Sequence, residues 1–162
     1  VLIARSTICN RSVLIGAFPG AFPPLLGWVA GRNEIGMEAL VLYAIQFIWQ
    51  FPHFWAIAWV LHDDYAKAGF KMLPTGQGRT KGAAFQTLVY SICLIPLAIM
   101  PIVFGFTGII ATILMVITGI LFTLQALRLF NQCDLKSAQR LMFGSFIYLP
   151  VVQIIWMLNK IL

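Results

Sequence analysis

Residues 37–67 read MEALVLYAIQFIWQFPHFWAIAWVLHDDYAK, a long apolar stretch that ends in charged residues. The apolar part has the length that an α-helix needs to cross a hydrocarbon core of about 30 Å, roughly 17–25 residues. Other parts of the chain have the same character. The apolar segments are 13–30, 37–61, 85–104, 109–127 and 141–159. The sequence therefore predicts an all-α, polytopic transmembrane helical bundle with about five spans.

Charged residues are divided unequally between the connections. If every segment spans, the start of the chain and the 62–84 and 128–140 connections lie on one side of the membrane. That side carries nine of the eleven basic residues, and the other carries only Arg32 and Lys160. Cytoplasmic loops carry an excess of Lys and Arg. We therefore expect a multi-pass protein of the cell inner membrane whose nine-charge side is cytoplasmic.

The composition indicates the same environment. Hydrophobic residues make up 60% of the chain and charged residues 10%, whereas an average soluble domain has about 25% charged residues. The net charge is +6, but the basic residues lie next to the membrane. This favours anionic lipid or a phosphorylated substrate as the partner, and not nucleic acid. The three cysteines are widely spaced and indicate neither a disulfide framework nor a zinc site.

The first apolar segment combines small residues with prolines. Its two G-x-x-x-G pairs and three prolines are Gly16 and Gly20, Gly27 and Gly31, and Pro19, Pro23 and Pro24. Glycines at this spacing let another helix approach closely, and prolines free backbone carbonyls that a neighbour must satisfy. Two interpretations stay open: tight packing in a bundle, or a broken helix that lines a cavity.

Polar side chains recur on one face of the second segment. At 100° per residue the later ones lie within about 40° of Gln46 around the helix axis. They are Gln46, Gln50, His53 and Asp64. Lipid cannot satisfy such a stripe, so we expect it to face the bundle interior. Polar residues at membrane depth are candidates for function, and aromatic residues such as Trp49 surround them.

Adjacent carboxylates, Asp63 and Asp64, end this stripe, and Lys67 and Lys71 follow. Mg²⁺ binds through one or two carboxylates plus substrate phosphates, and basic side chains can hold the remaining phosphate oxygens. The pattern predicts a site for Mg²⁺ and a phosphorylated substrate. The alternative is that the aspartates solvate a helix end and pair with Lys67. His53 is likewise either a substrate-binding group or an interior histidine with satisfied hydrogen bonds.

Three blocks of the sequence occur together: GAFPGAFPPLLGW (16–28), WQFPHFWA (49–56) and DDYAKAGFKMLP (63–74). In their order and spacing they resemble the protoheme IX farnesyltransferases, or heme O synthases, of the UbiA-type intramembrane prenyltransferase superfamily. The resemblance covers nearly the whole chain from about Ser12 onward. It implies that residues 1–162 form a single transmembrane prenyltransferase domain.

The resemblance implies nine transmembrane helices around a lipid-accessible cavity, with two Asp-containing motifs at its cytoplasmic mouth. These motifs hold Mg²⁺ and the diphosphate of farnesyl diphosphate, and the farnesyl group passes to a vinyl carbon of heme b, with addition of water, to give heme O. Asp63 and Asp64 match the second motif as catalytic and metal-binding residues. The substrate-binding residues implied are Lys67 and Lys71 in its basic loop, His53 on the heme side, and Gln46, Gln50, Trp49 and Tyr65. Heme A synthase and terminal oxidase assembly factors are the implied protein partners.

The beginning of the chain departs from this family. The family's first acidic motif, Asn-x-x-x-Asp-x-x-x-Asp, has no counterpart here, and residues 1–11 match poorly. The chain opens with Val1 and not Met. We expect a fragment that lacks about four N-terminal helices and is inactive alone. Two rival functions remain: a non-catalytic membrane subunit or transporter fragment, and a prenyltransferase that acts on a quinone precursor.

Overall fold

A computed structural model describes residues 16–69, 72–75 and 77–159. Residues 16–20 are helical, and further helices follow them. These are α1 (Phe22–Arg32), α2 (Met37–Val60), α3 (His62–Lys67), α4 (Lys81–Val103), α5 (Ile109–Gln132) and α6 (Leu135–Leu158). Four of them, α2, α4, α5 and α6, are long and apolar enough to cross a membrane. The predicted all-α polytopic bundle is confirmed.

The first predicted segment, 13–30, begins before the described residues. Its described part is interrupted at Ala21, between helical residues 16–20 and α1. Two prolines begin α1, where a missing N–H breaks no intrahelical hydrogen bond. Among the glycines of the two G-x-x-x-G pairs, Gly20 alone lies against a neighbouring side chain, that of Gln50. Each interpretation of this segment therefore holds in part: the helix is interrupted, and one glycine permits a close contact.

The four long helices pack in a ring in the order α2, α4, α5 and α6, and α6 returns to α2. Helix α1 packs against α2. Half of the α2 span (50%) is buried, compared with 33% for α4 and α5 and 28% for α6. Helix α2 is therefore the central element of the described bundle.

The ring is held together by residues at coiled-coil spacing. The buried residues of α5 are Ala111, Thr112, Met115, Gly119, Phe122, Ala126 and Leu129. From Thr112 onward their intervals alternate between three and four, the period at which one helix face meets a neighbour. Small residues allow close approach: Thr123 Oγ1 lies 3.1 Å from Ser91 O on α4, as well as 2.8 Å from Gly119 O of its own helix. The opposite faces carry exposed aliphatic side chains such as Leu121 and Ile147, as lipid-facing helices require.

The connections lie at alternating ends of the bundle. At one end, the Lys81 ammonium at the start of α4 lies 6.0 Å from the ring centroid of Phe130 near the end of α5. At the other end, the Gly108 N–H donates to Asn159 Oδ1 over 3.2 Å. The first of these is called the charged end below. It carries six of the seven basic residues in the part of the chain that the structure describes, namely Lys67, Arg79, Lys81, Arg128, Lys136 and Arg140, and the seventh, Arg32, lies toward the other end.

Candidate active site

The predicted polar stripe of α2 is buried. Gln46, Gln50 and His53 are 9%, 3% and 7% exposed, so the expectation that they avoid lipid is confirmed. Gln50 lies against Gly20, and His53 contacts α6. The stripe therefore lies between helical residues 16–20 and α6.

Four side chains of α2 have a buried polar atom with no hydrogen-bond partner among the described residues. They are the Oε1 atoms of Gln46 and Gln50 and the Nε1 atoms of Trp55 and Trp59, four of the seven such side-chain atoms in this part of the chain. An enclosed polar atom without a partner costs about 1–3 kcal/mol. The hydrogen-bonding capacity of these four atoms is therefore unsatisfied by the described residues.

His53 is held by α6 at one ring nitrogen. Its Nδ1 lies 2.7 Å from Ser145 Oγ, and its ring stacks on Trp49 at a centroid distance of 4.4 Å. Phe146 meets the ring edge-on at 4.9 Å, and Trp49 Nε1 donates to Ser145 O over 3.1 Å. Nδ1 is thus satisfied, as the interior-histidine interpretation requires, whereas Nε2 has no hydrogen bond within the described ranges.

The aspartates lie beyond a break in the helix. Helix α2 ends at Val60, and Leu61 (φ −93°, ψ 17°) separates it from α3, which carries Asp63 and Asp64. The count of 100° per residue holds only within a continuous helix. The orientation of Asp64 relative to the stripe is therefore not fixed by the helical period.

Arg79 joins the end of α2 to the acidic turn, which is the first turn of α3 with Asp63 and Asp64. Its Nε donates to Trp59 O over 2.8 Å, and its Nη2 donates to Val60 O over 3.3 Å. Its Nη1 lies 3.3 Å from Asp63 Oδ2. The last carbonyls of a helix lack intrahelical partners, and one guanidinium satisfies two of them while it pairs with a carboxylate.

The connection that supplies Arg79 folds back over the bundle. Leu73 is 2% exposed and belongs to the hydrophobic core, so it anchors the connection. Gly78 lies against the His62 ring, since a Cβ at this position would lie 2.7 Å from His62 Nε2. The sequence marks Arg79 only as one of several basic residues, because its role depends on this fold of the connection.

The two carboxylates have different partners. His62 Nδ1 lies 3.4 Å from Asp63 Oδ1, and the hydrogen bond from His62, followed by the charge of Arg79, lowers the pKa of Asp63. Asp64 Oδ1 instead lies 3.3 Å from Lys67 Nζ, with both side chains exposed. The pairing with Lys67 expected of a solvated helix end therefore holds for Asp64, and Asp63 pairs elsewhere. Tyr65 is half-buried beside them, and the predicted Lys71 lies outside the described residues.

The donor set fits part of a Mg²⁺ site. Within residues 16–69, 72–75 and 77–159, no group of three or more His, Cys, Asp or Glu side chains is arranged to hold a metal ion. Mg²⁺ usually keeps several waters and binds through one or two carboxylates together with substrate phosphates. Asp63 and Asp64 are adjacent in sequence and exposed at the charged end of the bundle, so they suit this kind of binding.

Comparison with known proteins identifies the family. Residues 5–149 match the profile of the UbiA prenyltransferase family. The chain is 54% identical over 155 residues to a protoheme IX farnesyltransferase of Cytophaga hutchinsonii, covering 96% of this chain and 54% of that protein. It is 45% identical over 161 residues to the protoheme IX farnesyltransferase of Flavobacterium psychrophilum, covering 96% and 53%.

A protoheme IX farnesyltransferase of Janthinobacterium sp. is 36% identical over 142 residues, covering 88% of this chain and 48% of that protein. The chain thus spans about half the length of the curated relatives it matches. No solved structure shows significant similarity. The profile match extends over most of the chain, and the chain belongs to the UbiA prenyltransferase family.

Proposed function

We propose that this protein transfers the farnesyl group of farnesyl diphosphate to a vinyl group of protoheme IX, which gives heme O and releases diphosphate. The observation that carries the proposal is the acidic turn at the charged end, next to a buried polar and aromatic face of α2. Ionisation of an allylic diphosphate needs both neutralised charge on the leaving group and protection from water. Relatives named for this activity match most of the chain.

Residues of the charged end bind the diphosphate in this proposal. Asp63 and Asp64 would hold Mg²⁺, and the ion would supply positive charge to the diphosphate leaving group of the donor. Lys67 and Lys71 bind the remaining phosphate oxygens. Arg79 orients Asp63 through the contact described above.

The face of α2 binds the acceptor and the apolar chain. Aromatic faces such as Trp49 stabilise the allylic cation, and the buried surroundings exclude bulk water. The vinyl electron pair forms the new carbon–carbon bond at C1. Water then adds to the neighbouring carbon and loses a proton, which leaves a hydroxyethylfarnesyl side chain. His53 and the unpartnered oxygens of Gln46 and Gln50 supply the polar contacts on this face.

The charge distribution supports a proposed orientation in the membrane. All the described basic residues except Arg32 lie at the charged end, and the excess of Lys and Arg in cytoplasmic loops supports an inner-membrane orientation with this end in the cytoplasm. Binding of heme A synthase or of terminal oxidase assembly factors stays a prediction.

The proposal is tested with membranes that contain the full-length gene product, Mg²⁺ and radiolabelled farnesyl diphosphate. Either heme b or a small aromatic acid is added as the acceptor, and products are separated by chromatography. We expect label in heme O, and only with heme b. Transfer to the aromatic acid instead would indicate a prenyltransferase of quinone precursors. No transfer to either acceptor would favour the non-catalytic subunit.

A further inference from the structure

The hydroxyl of Ser145 contacts two groups but has only one proton to donate. Its Oγ lies 2.6 Å from Met142 O in the preceding turn of α6 and 2.7 Å from His53 Nδ1. A carbonyl oxygen can only accept, so the hydroxyl proton points to Met142 O. Nδ1 must then carry a hydrogen and donate it to Oγ.

The assignment of the proton to Nδ1 determines the other nitrogen. His53 is buried in a membrane-spanning helix among aromatic rings, where an unpaired charge is strongly disfavoured. A neutral imidazole has one N–H and one lone pair. Nε2 therefore holds the lone pair, and no described residue donates a hydrogen bond to it.

The position of the ring is fixed by a second contact with the same serine. Trp49 donates to Ser145 O, and the Trp49 and His53 rings stack at an interplanar angle of 14°. Both contacts of Ser145 are inside the bundle, since this residue is fully buried. One residue of α6 thus sets both the tautomer and the orientation of His53.

A histidine that binds a metal almost always donates its other ring N–H to an oxygen acceptor, which fixes the tautomer. We propose that Ser145 is a positioning residue that holds His53 as the Nδ1–H tautomer and so presents Nε2 as a ligand to the iron of the heme substrate. The inference rests on the proposed function for the identity of the ligand. The tautomer itself depends only on the contacts between α2 and α6.

The tautomer is measured by long-range ¹H–¹⁵N NMR of the full-length protein labelled with ¹⁵N-histidine in detergent. The variant His53→Gln identifies the signals of this residue by their loss. We expect the Nδ1–H pattern in the parent and a shift toward Nε2–H in Ser145→Ala. Ser91→Ala is the matched control, because the Ser91 hydroxyl is equally buried but donates only to Thr87 O of its own helix.

The ligand is tested by titration with ferric heme b, followed by absorption spectroscopy. We expect an imidazole-ligated spectrum in the parent that is lost in His53→Gln. Loss of an outer partner of a ligating histidine typically weakens metal binding about 10–100-fold, so we expect Ser145→Ala to raise the heme Kd by about tenfold or more. Ser91→Ala should retain the parent Kd, and farnesyl diphosphate affinity should be unchanged in all variants.

An Nε2–H tautomer in the parent would overturn the proposal, even if Ser145→Ala fails to accumulate. A parent-like tautomer and heme Kd in Ser145→Ala would overturn it too. If the heme spectrum of His53→Gln is the same as that of the parent, His53 does not bind the heme iron. If heme does not bind and the farnesyl group is transferred to another acceptor, both the proposed function and the iron contact are wrong. The NMR result still decides whether Ser145 sets the tautomer of His53.

Discussion

At the residue scale, Asp63 and Asp64 are neighbours in sequence with different surroundings. Asp63 is held by Arg79, which is itself fixed on the end of α2. Asp64 pairs with Lys67 in a contact between two exposed side chains. Exposed pairs of this kind contribute little to stability. Asp64 can therefore exchange Lys67 for another cation without disturbing the fold.

Replacement of Arg79 by lysine tests its role as the link between α2 and the acidic turn. An ammonium cannot reach Trp59 O, Val60 O and Asp63 together, as the guanidinium does. Hydrogen bonds of charged groups contribute about 1.5–3 kcal/mol, so we expect Arg79→Lys to lower farnesyl transfer by about tenfold and to lower the Tm. Arg128→Lys, at the same end of the bundle, is the control. If both variants lose the same amount of transfer activity and Tm, the contacts of Arg79 with α2 and Asp63 are not important.

Acid should weaken the contact between Asp63 and Arg79. The pKa of Asp63 is lowered in the folded protein, so its contribution to stability is present above its ordinary value of 3.8 and is lost as pH falls through the folded value. We expect the Tm difference between the parent and Asp63→Asn to shrink as pH falls from about 5 to about 3. A difference that is constant across this range would contradict the assignment.

At the scale of elements, the connection between α3 and α4 is packed against α3 by a glycine. Gly78 has φ 88° and no room for a Cβ beside His62, whereas Gly69 has φ 77° and open space around it. A side chain in this backbone region costs roughly 1–2 kcal/mol at either position. We therefore expect Gly78→Ala to lower the Tm and the transfer rate more than Gly69→Ala. Equal effects would mean that the contact with His62 is unimportant.

Length and hydropathy predicted the long helices but not their ends. Residues 85–103 of the predicted segment 85–104 belong to α4, which begins at Lys81 because Thr80 accepts a hydrogen bond from Ala83 N. Residues 141–158 of the segment 141–159 belong to α6, which begins after its N-cap Asp134, whose side chain accepts a hydrogen bond from Ser137 N. Helices continue past the apolar segment wherever a cap satisfies the first N–H groups. The breaks at Ala21 and Leu61 leave no comparable signal in the hydropathy.

The contacts of the candidate site were predicted only in part. The helical period placed Gln46, Gln50 and His53 on one face, and their burial agrees with it. Ser145 was missed, because 92 residues separate it from His53 and a single serine in an apolar segment carries no signal. The roles of Asp63, Asp64 and the lysines in substrate binding stay predictions.

At the scale of the whole molecule, the orientation in the membrane can be measured. Glu34 and Lys67 are exposed at opposite ends of the bundle. In a background with the three cysteines replaced by alanine, we expect an impermeant maleimide to label Glu34→Cys in cells with a permeabilised outer membrane, and Lys67→Cys only after the inner membrane is lysed. The reverse pattern would contradict a cytoplasmic charged end.

In the proposed function, the charged end binds Mg²⁺ and the diphosphate of a prenyl donor. The most direct test compares Asp64→Asn with Asp134→Asn in the full-length protein, assayed for farnesyl transfer to heme b at equal membrane levels. Asp134 is an acidic residue of the same end, and asparagine also serves as an N-cap there. We predict that Asp64→Asn abolishes transfer and that Asp134→Asn retains it. Near-full activity in Asp64→Asn would contradict the account.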